Sequence, residues 1–68
     1  MNEDYLNIEI RKFLKKVGIT SQRIIEKQIY KADKEGKIKP GDEIDLKMTL
    51  SLKNFQSEDI IDGKILIE

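Results

Sequence analysis

The chain has 68 residues, no cysteine, no histidine and a formal net charge of zero, with 38% charged and 38% hydrophobic residues. This composition excludes thiol catalysis, the common zinc-binding sets and a disulfide framework, and it indicates one small folded domain over residues 1–68. No apolar run reaches the length of a membrane span or a signal-peptide core, so we expect a cytoplasmic protein that does not bind membranes.

The first predicted element is an amphipathic helix over about residues 4–17. Glu3 and Asp4 stand at its start, where carboxylates stabilise the positive end of the helix dipole. Gly18 follows the last apolar position, and glycine readily adopts the left-handed conformation that ends a helix. The apolar residues of this segment fall within one arc roughly 100° wide on a helical wheel: Leu6, Ile10, Phe13, Leu14 and Val17.

A second helix is predicted over about residues 21–35. Thr20 and Ser21 offer hydroxyl groups that can cap its first turn, and Gly36 ends it. Ile24 lies just outside its apolar face. Because the connecting loop is short, the two helices are expected to form a hairpin. The residues that recur at helical spacing on the apolar face are Ile25, Ile29 and Ala32.

The second half of the chain is predicted to form an antiparallel β-hairpin. Strict alternation of apolar and polar residues predicts a half-buried strand over about residues 43–52. A second strand is predicted over about residues 60–67, with Asp62-Gly63 as a bulge or tight bend. A two-residue turn at Asp62-Gly63 is the less favoured alternative, because it leaves too short a partner strand.

Two connections flank the first strand. Lys37–Asp42 precedes it and carries Pro40-Gly41, a pair typical of tight turns. The stretch that follows the strand is polar except for Phe55, whose ring we expect to cap the end of the core.

Together these elements predict an α+β fold in the order α-α-β-β, with the two-helix hairpin packed on one face of the β-hairpin. Two strands leave open edges, and Ile60 and Leu66 then lie on the sheet face away from the helices. A symmetric homodimer with contacts at Ile60 and Leu66 would cover both features. The alternative is a monomer in which these are scattered surface apolar residues.

Charge is distributed unevenly: residues 9–41 carry a net charge of +6 and residues 42–68 a net charge of −4. The segment around Gly18 partly matches a helix-turn-helix unit, with the β-hairpin as its wing. Leu14 stands where that unit normally has a small residue, Lys27 stands where it has an apolar one, and overall neutrality disfavours DNA binding. The candidate contacts with nucleic acid or a protein partner are Gln22, Arg23, Lys27, Tyr30 and Lys31.

No catalytic, metal or cofactor signature is present. Asp59-x-x-Asp62-Gly63 lacks the spaced oxygen series of a calcium loop, and no histidine is available to activate Ser21 or Ser51. We therefore predict a protein without a cofactor or enzyme activity. A noncatalytic interaction or scaffold role, exerted through a homodimer or another protein partner, is preferred, and nucleic-acid binding is the alternative.

Three stretches of the sequence, Asn2–Asn7, Ile10–Arg23 and Ile25–Lys27, resemble a family of small bacterial proteins of unknown function, each about 70 residues long. The similarity continues through Lys47–Leu50 and Asp62-Gly63, and so covers nearly the whole chain. The family has an acidic residue where this chain has Ile24. The resemblance implies a compact, stand-alone bacterial domain and no particular activity.

Overall fold

The computed structural model describes residues 1–68 as two compact units, Met1–Glu35 and Gly36–Glu68. The first unit is one α-helix, α1 (Glu3–Lys34). The second is an antiparallel hairpin of β1 (Glu43–Leu52) and β2 (Ser57–Leu66). The α+β class and the antiparallel hairpin are confirmed, whereas a single domain with the helices packed on one sheet face stays a prediction.

The predicted pair of helices over residues 4–17 and 21–35 is wrong, because α1 runs through Gly18 without a break. The helix has 32 residues and is therefore about 48 Å long. Gly18 is not among the glycines with positive φ, so it does not adopt the left-handed conformation that ends helices. A glycine inside a helix costs only about 1 kcal/mol relative to alanine, which weakens the helix without ending it.

Most apolar positions of the two predicted helices share one phase on the continuous helix, but Ile29, predicted on the apolar face, lies about 40° beyond Ile25 and outside it. Ile24 follows Leu6 by eighteen residues, or about five turns, so it returns to the same side. Its predicted place outside the apolar face is therefore wrong. We call this surface of α1 the apolar stripe; its members are Leu6, Ile10, Phe13, Leu14, Val17, Ser21, Ile24, Ile25, Gln28 and Ala32.

Both ends of α1 have ordinary capping chemistry. The Asn2 side chain accepts a hydrogen bond from the backbone N–H of Tyr5 at 3.1 Å, which satisfies one of the free amides of the first turn. At the other end, the N–H of Glu35 donates to the carbonyl of Lys31 at 3.1 Å. Gly36 then has φ +70°, so the left-handed residue that ends the helix stands here and not at Gly18.

The β1–β2 register determines which residues share a sheet face. Ile44 lies opposite Ile65, and Met48 lies opposite Ile61, so these residues occupy one face. β2 begins at Ser57, three residues before the predicted strand of 60–67. Pairing continues without interruption through Asp62 and Gly63, so neither the predicted bulge nor the alternative turn is present there.

The connections differ in how well they were predicted. Pro40 and Gly41 form the predicted tight turn: the N–H of Asp42 donates to the carbonyl of Lys39 at 3.1 Å, and Gly41 has φ +97°. Phe55 lies in the loop between the strands and is 76% exposed, so it does not cap a core. The loop is short and polar, and it places no apolar neighbour over the ring.

We expect Gly18→Ala to raise the free energy of unfolding by about 1 kcal/mol. The backbone at Gly18 is helical, a Cβ there meets no atom within 4 Å, and alanine has the higher helix propensity. Gly36→Ala is the matched control, because φ +70° strains an alanine and lowers stability by about 1 kcal/mol. Circular dichroism during urea unfolding measures both. A loss of stability in Gly18→Ala would show that the chain turns at Gly18.

Candidate interaction surfaces

The β-hairpin presents one predominantly apolar face, which we call the apolar sheet face. Within the unit Gly36–Glu68 no second layer covers it, and no residue of the chain is classed as buried. A two-stranded sheet is marginally stable unless its apolar face packs against another layer. The apolar residues of this face are Ile44, Leu46, Met48, Leu50, Leu52, Ile61 and Ile65.

The opposite face of the hairpin is charged. Lys64 lies opposite Asp45, and its Nζ is 3.6 Å from a carboxylate oxygen of Glu43. Lys47 similarly lies opposite Asp62. These pairs are exposed, so each contributes only a few tenths of a kcal/mol, and their main effect is to keep this face in water.

Ile60 and Leu66, the predicted dimer contacts, lie on this charged face. They are 52% and 57% exposed. Six residues separate them along β2, which is about 20 Å, and Asp62 and Lys64 lie between them on the same face. The structure therefore does not bring Ile60 and Leu66 together in one apolar patch, and their role in a dimer stays a prediction.

A groove of about 360 Å³ lies beside the one glycine of β2. Gly63 faces Leu46 across the strands, and the absence of a side chain at Gly63 leaves a gap in the apolar sheet face. Asp45, Asp62 and Lys64 line its rim. No group of three or more acidic residues that could hold a metal ion occurs in the chain.

The apolar stripe of α1 is the longest apolar surface of the protein. Phe13 and Ile24 are 56% and 57% exposed, although both belong to the side on which apolar residues recur. A helix of the unit Met1–Glu35 has no other element in that unit to pack against. Helices are stabilised mainly by packing of an apolar face, and the stripe is the face of α1 suited to such packing.

Basic side chains follow the side of α1 that faces away from the stripe, and Lys31 extends them to the stripe's edge, because it lies five turns from Phe13 at the same angle. Arg23, Lys27 and Lys31 follow one another at intervals of four residues, and Tyr30 lies beside them. Gln22 points about 100° away from Arg23, and its Nε2 donates to Glu26 Oε1 at 2.8 Å. Four of the five predicted contact residues thus share a surface, and Gln22 does not. We call this surface the basic face; its members are Lys12, Lys16, Arg23, Lys27, Lys31 and Lys34.

The predicted helix-turn-helix is wrong. That unit requires two helices at a steep angle joined by a short turn, whereas α1 is continuous through Gly18. The β-hairpin consequently cannot serve as the wing of such a unit. The basic face does not depend on the turn, so binding of a polyanion by this face stays a prediction.

These features define a class of protein: a small α+β chain with an apolar helical stripe, an apolar sheet face and one basic helical face. The chain matches the family model described as "Family of unknown function (DUF6494)" over residues 1–68, and it belongs to this family. The resemblance to a family of unknown function is therefore confirmed over the full chain. No curated protein and no solved structure matches the chain. No helix combines the length and the apolar composition that a membrane span requires.

We expect Gly63→Val to raise the free energy of unfolding by up to about 1 kcal/mol. A Cβ at this position meets no atom within 4 Å, the backbone is extended, and valine has a high strand propensity. Gly41→Val is the matched control and is destabilising, because φ +97° strains a branched side chain. Urea unfolding measures both variants. Destabilisation by Gly63→Val would mean that the gap opposite Leu46 is filled in solution.

Proposed function

We propose that the protein is a noncatalytic interaction protein of the bacterial cytoplasm that acts through self-association, and that the apolar stripe of α1 forms the contact. The observation that carries the proposal is the uncovered stripe, which includes large side chains such as Phe13 and Leu14. Burying a side chain of this size stabilises an assembly by about 1.5–3 kcal/mol. Several such residues on one helix supply enough free energy for a dimer.

The length of the stripe favours a helical partner. From Leu6 to Ala32 the stripe is about 39 Å long, whereas each ten-residue strand of the hairpin is about 33 Å long. One hairpin is therefore slightly shorter than the stripe. A second copy of α1 is long enough to cover all of it.

The charged sheet face and the apolar stripe differ in how continuous their apolar area is. On the charged sheet face, Ile60 and Leu66 are separate, so that face offers little apolar area to a partner. On α1 the apolar stripe runs from Leu6 to Ala32 and is interrupted only by Ser21 and Gln28. Helix-to-helix association therefore buries more apolar surface than association through Ile60 and Leu66.

We expect Ile10→Asp to weaken self-association at least tenfold in Kd, because it places an unpaired carboxylate within the stripe. Ile8→Asp is the matched control: Ile8 is two residues away, about 200° around the helix, and similarly exposed (57% against 47% for Ile10). Sedimentation equilibrium across a concentration series measures the mass of each variant.

The expected result is that the wild-type chain and Ile8→Asp sediment above the mass of one chain, while Ile10→Asp sediments as one chain. A wild-type protein that remains a single chain at high concentration would refute self-association. Ile60→Asp distinguishes contact through the apolar stripe from contact through Ile60 and Leu66. If Ile60→Asp loses the dimer and Ile10→Asp keeps it, the contact lies on the charged sheet face.

Nucleic-acid binding is the second candidate, and the basic face favours it. Six basic side chains from Lys12 to Lys34 span about 33 Å of helix, which is close to one turn of duplex DNA. A single helix fits in the major groove without a helix-turn-helix unit. The overall net charge of zero opposes strong binding.

If the basic face binds duplex DNA, Arg23→Ala combined with Lys27→Ala reduces the slope of log K against log salt concentration by about 2, since each phosphate contact contributes about 0.9. Lys47→Ala combined with Lys53→Ala removes the same charge from the other unit and should leave the slope unchanged. Fluorescence anisotropy with a labelled duplex measures the slopes. Absence of binding by the wild-type chain at low salt would eliminate this candidate.

A further inference from the structure

The apolar stripe has an internal symmetry that bears on how two copies meet. Reversing the direction of α1 about position 19 places every position of the stripe on another position of the stripe. The pairs created by the reversal are Leu6 with Ala32, Ile10 with Gln28, Phe13 with Ile25, Leu14 with Ile24, and Val17 with Ser21. The midpoint of Glu3–Lys34 lies at the same place, so two reversed helices overlap along almost their whole length.

We propose that two copies of the chain associate through α1 in an antiparallel arrangement, with the dyad near Ile19. This inference rests on the proposed self-association and adds its geometry. Each copy presents the same surface, so the contact closes on itself as a dimer and does not propagate into a fibre. Ile19 itself points to the opposite side of the helix and is not part of the contact.

The sizes of the paired side chains favour the antiparallel arrangement. The stripe has its bulkiest residues in the first half, and the second half contains Ser21, Gln28 and Ala32. Reversal sets Leu6, Ile10 and Val17 against smaller or polar residues. Phe13 and Leu14 then meet isoleucines, so the bulkiest side chain never meets itself. A parallel dimer in register would instead set Phe13 against Phe13 and Gln28 against Gln28. The parallel dimer would therefore contain one crowded layer at Phe13 and one polar layer at Gln28.

Charge favours the same arrangement. The first turn of α1 carries Glu3 and Asp4, whereas the last turn carries Lys31 and Lys34 together with Asp33. An antiparallel pair keeps the two acidic first turns apart and aligns the two helix dipoles favourably. A parallel pair brings the two acidic first turns to the same level. The electrostatic difference in free energy between the two arrangements is modest at physiological salt, and it favours the antiparallel one.

The experiment measures distances between spin labels in the full chain. The protein has no native cysteine, so Asn7→Cys and Lys31→Cys each give one labelling site. Both positions are exposed, both flank the stripe, and each is twelve residues from position 19. In an antiparallel dimer, two labels at the same site are separated by about 36 Å along the helix axis. In a parallel dimer in register they lie within about 20 Å, given an interaxial distance of about 8–10 Å.

The expected result is a long distance in each labelled homodimer and a new short distance, under about 20 Å, when the Asn7→Cys and Lys31→Cys proteins are mixed. Short distances within the homodimers, with a long distance in the mixture, would overturn the antiparallel arrangement while leaving self-association intact. A labelled protein that sediments as one chain, as the unlabelled wild type also would, overturns the proposed self-association itself. When the Ile10→Asp substitution is introduced into each labelled protein, no distance between labels on two different chains should be detected.

Discussion

The structure depends on apolar surface that neither unit can cover by itself. A lone helix has no core, and a two-stranded sheet is one layer thick, so each unit forms its backbone hydrogen bonds and still leaves its apolar side chains in water. Native proteins are stabilised largely by the burial of such side chains. The requirement for a second surface therefore follows from the architecture, and the proposed self-association is one way to satisfy it.

The positions of the charged residues distinguish the surfaces that stay in water from those that can form apolar contacts. On the hairpin, Lys64 and Lys47 are opposite acidic residues, which fixes one face as solvated. On α1 the basic side chains other than Lys31 lie away from the apolar stripe, so a helix partner on the stripe leaves most of the basic face accessible. Self-association and binding of a polyanion are consequently not mutually exclusive, since they use different sides of the same helix.

Much of the hairpin was predictable from the sequence. Alternation of apolar and polar residues located β1 at its observed bounds, because period-2 patterning has one physical meaning in a half-buried strand. The β2 start was missed because Ser57, Glu58 and Asp59 are polar, although they pair with β1 next to the connecting loop. Gly63 was misread as a bulge because glycine is compatible with both a bulge and a regular strand.

The helical half was harder because Gly18 and Ser21 are individually good signals for a helix boundary. Their cost inside a helix is small compared with the sum of favourable residues on both sides, and only the long-range phase between Leu6 and Ile24 reveals the continuous stripe. The predicted contact residues were chosen from the register of the helix-turn-helix alternative, which the continuous helix removes. Arg23, Lys27 and Lys31 did prove to lie on one surface, because intervals of four residues align on any helix.

The β1–β2 pairing joins residues that are between 5 and 23 positions apart in the chain, and α1 contains only contacts within a few residues. Elements of this kind form in microseconds, because little loop entropy is lost in closing them. For an assembling chain the slow event is then the encounter of two molecules, whose frequency rises with concentration. The cellular amount of this protein would thus set how much of it is assembled, so that expression level itself acts as the control on the proposed contact.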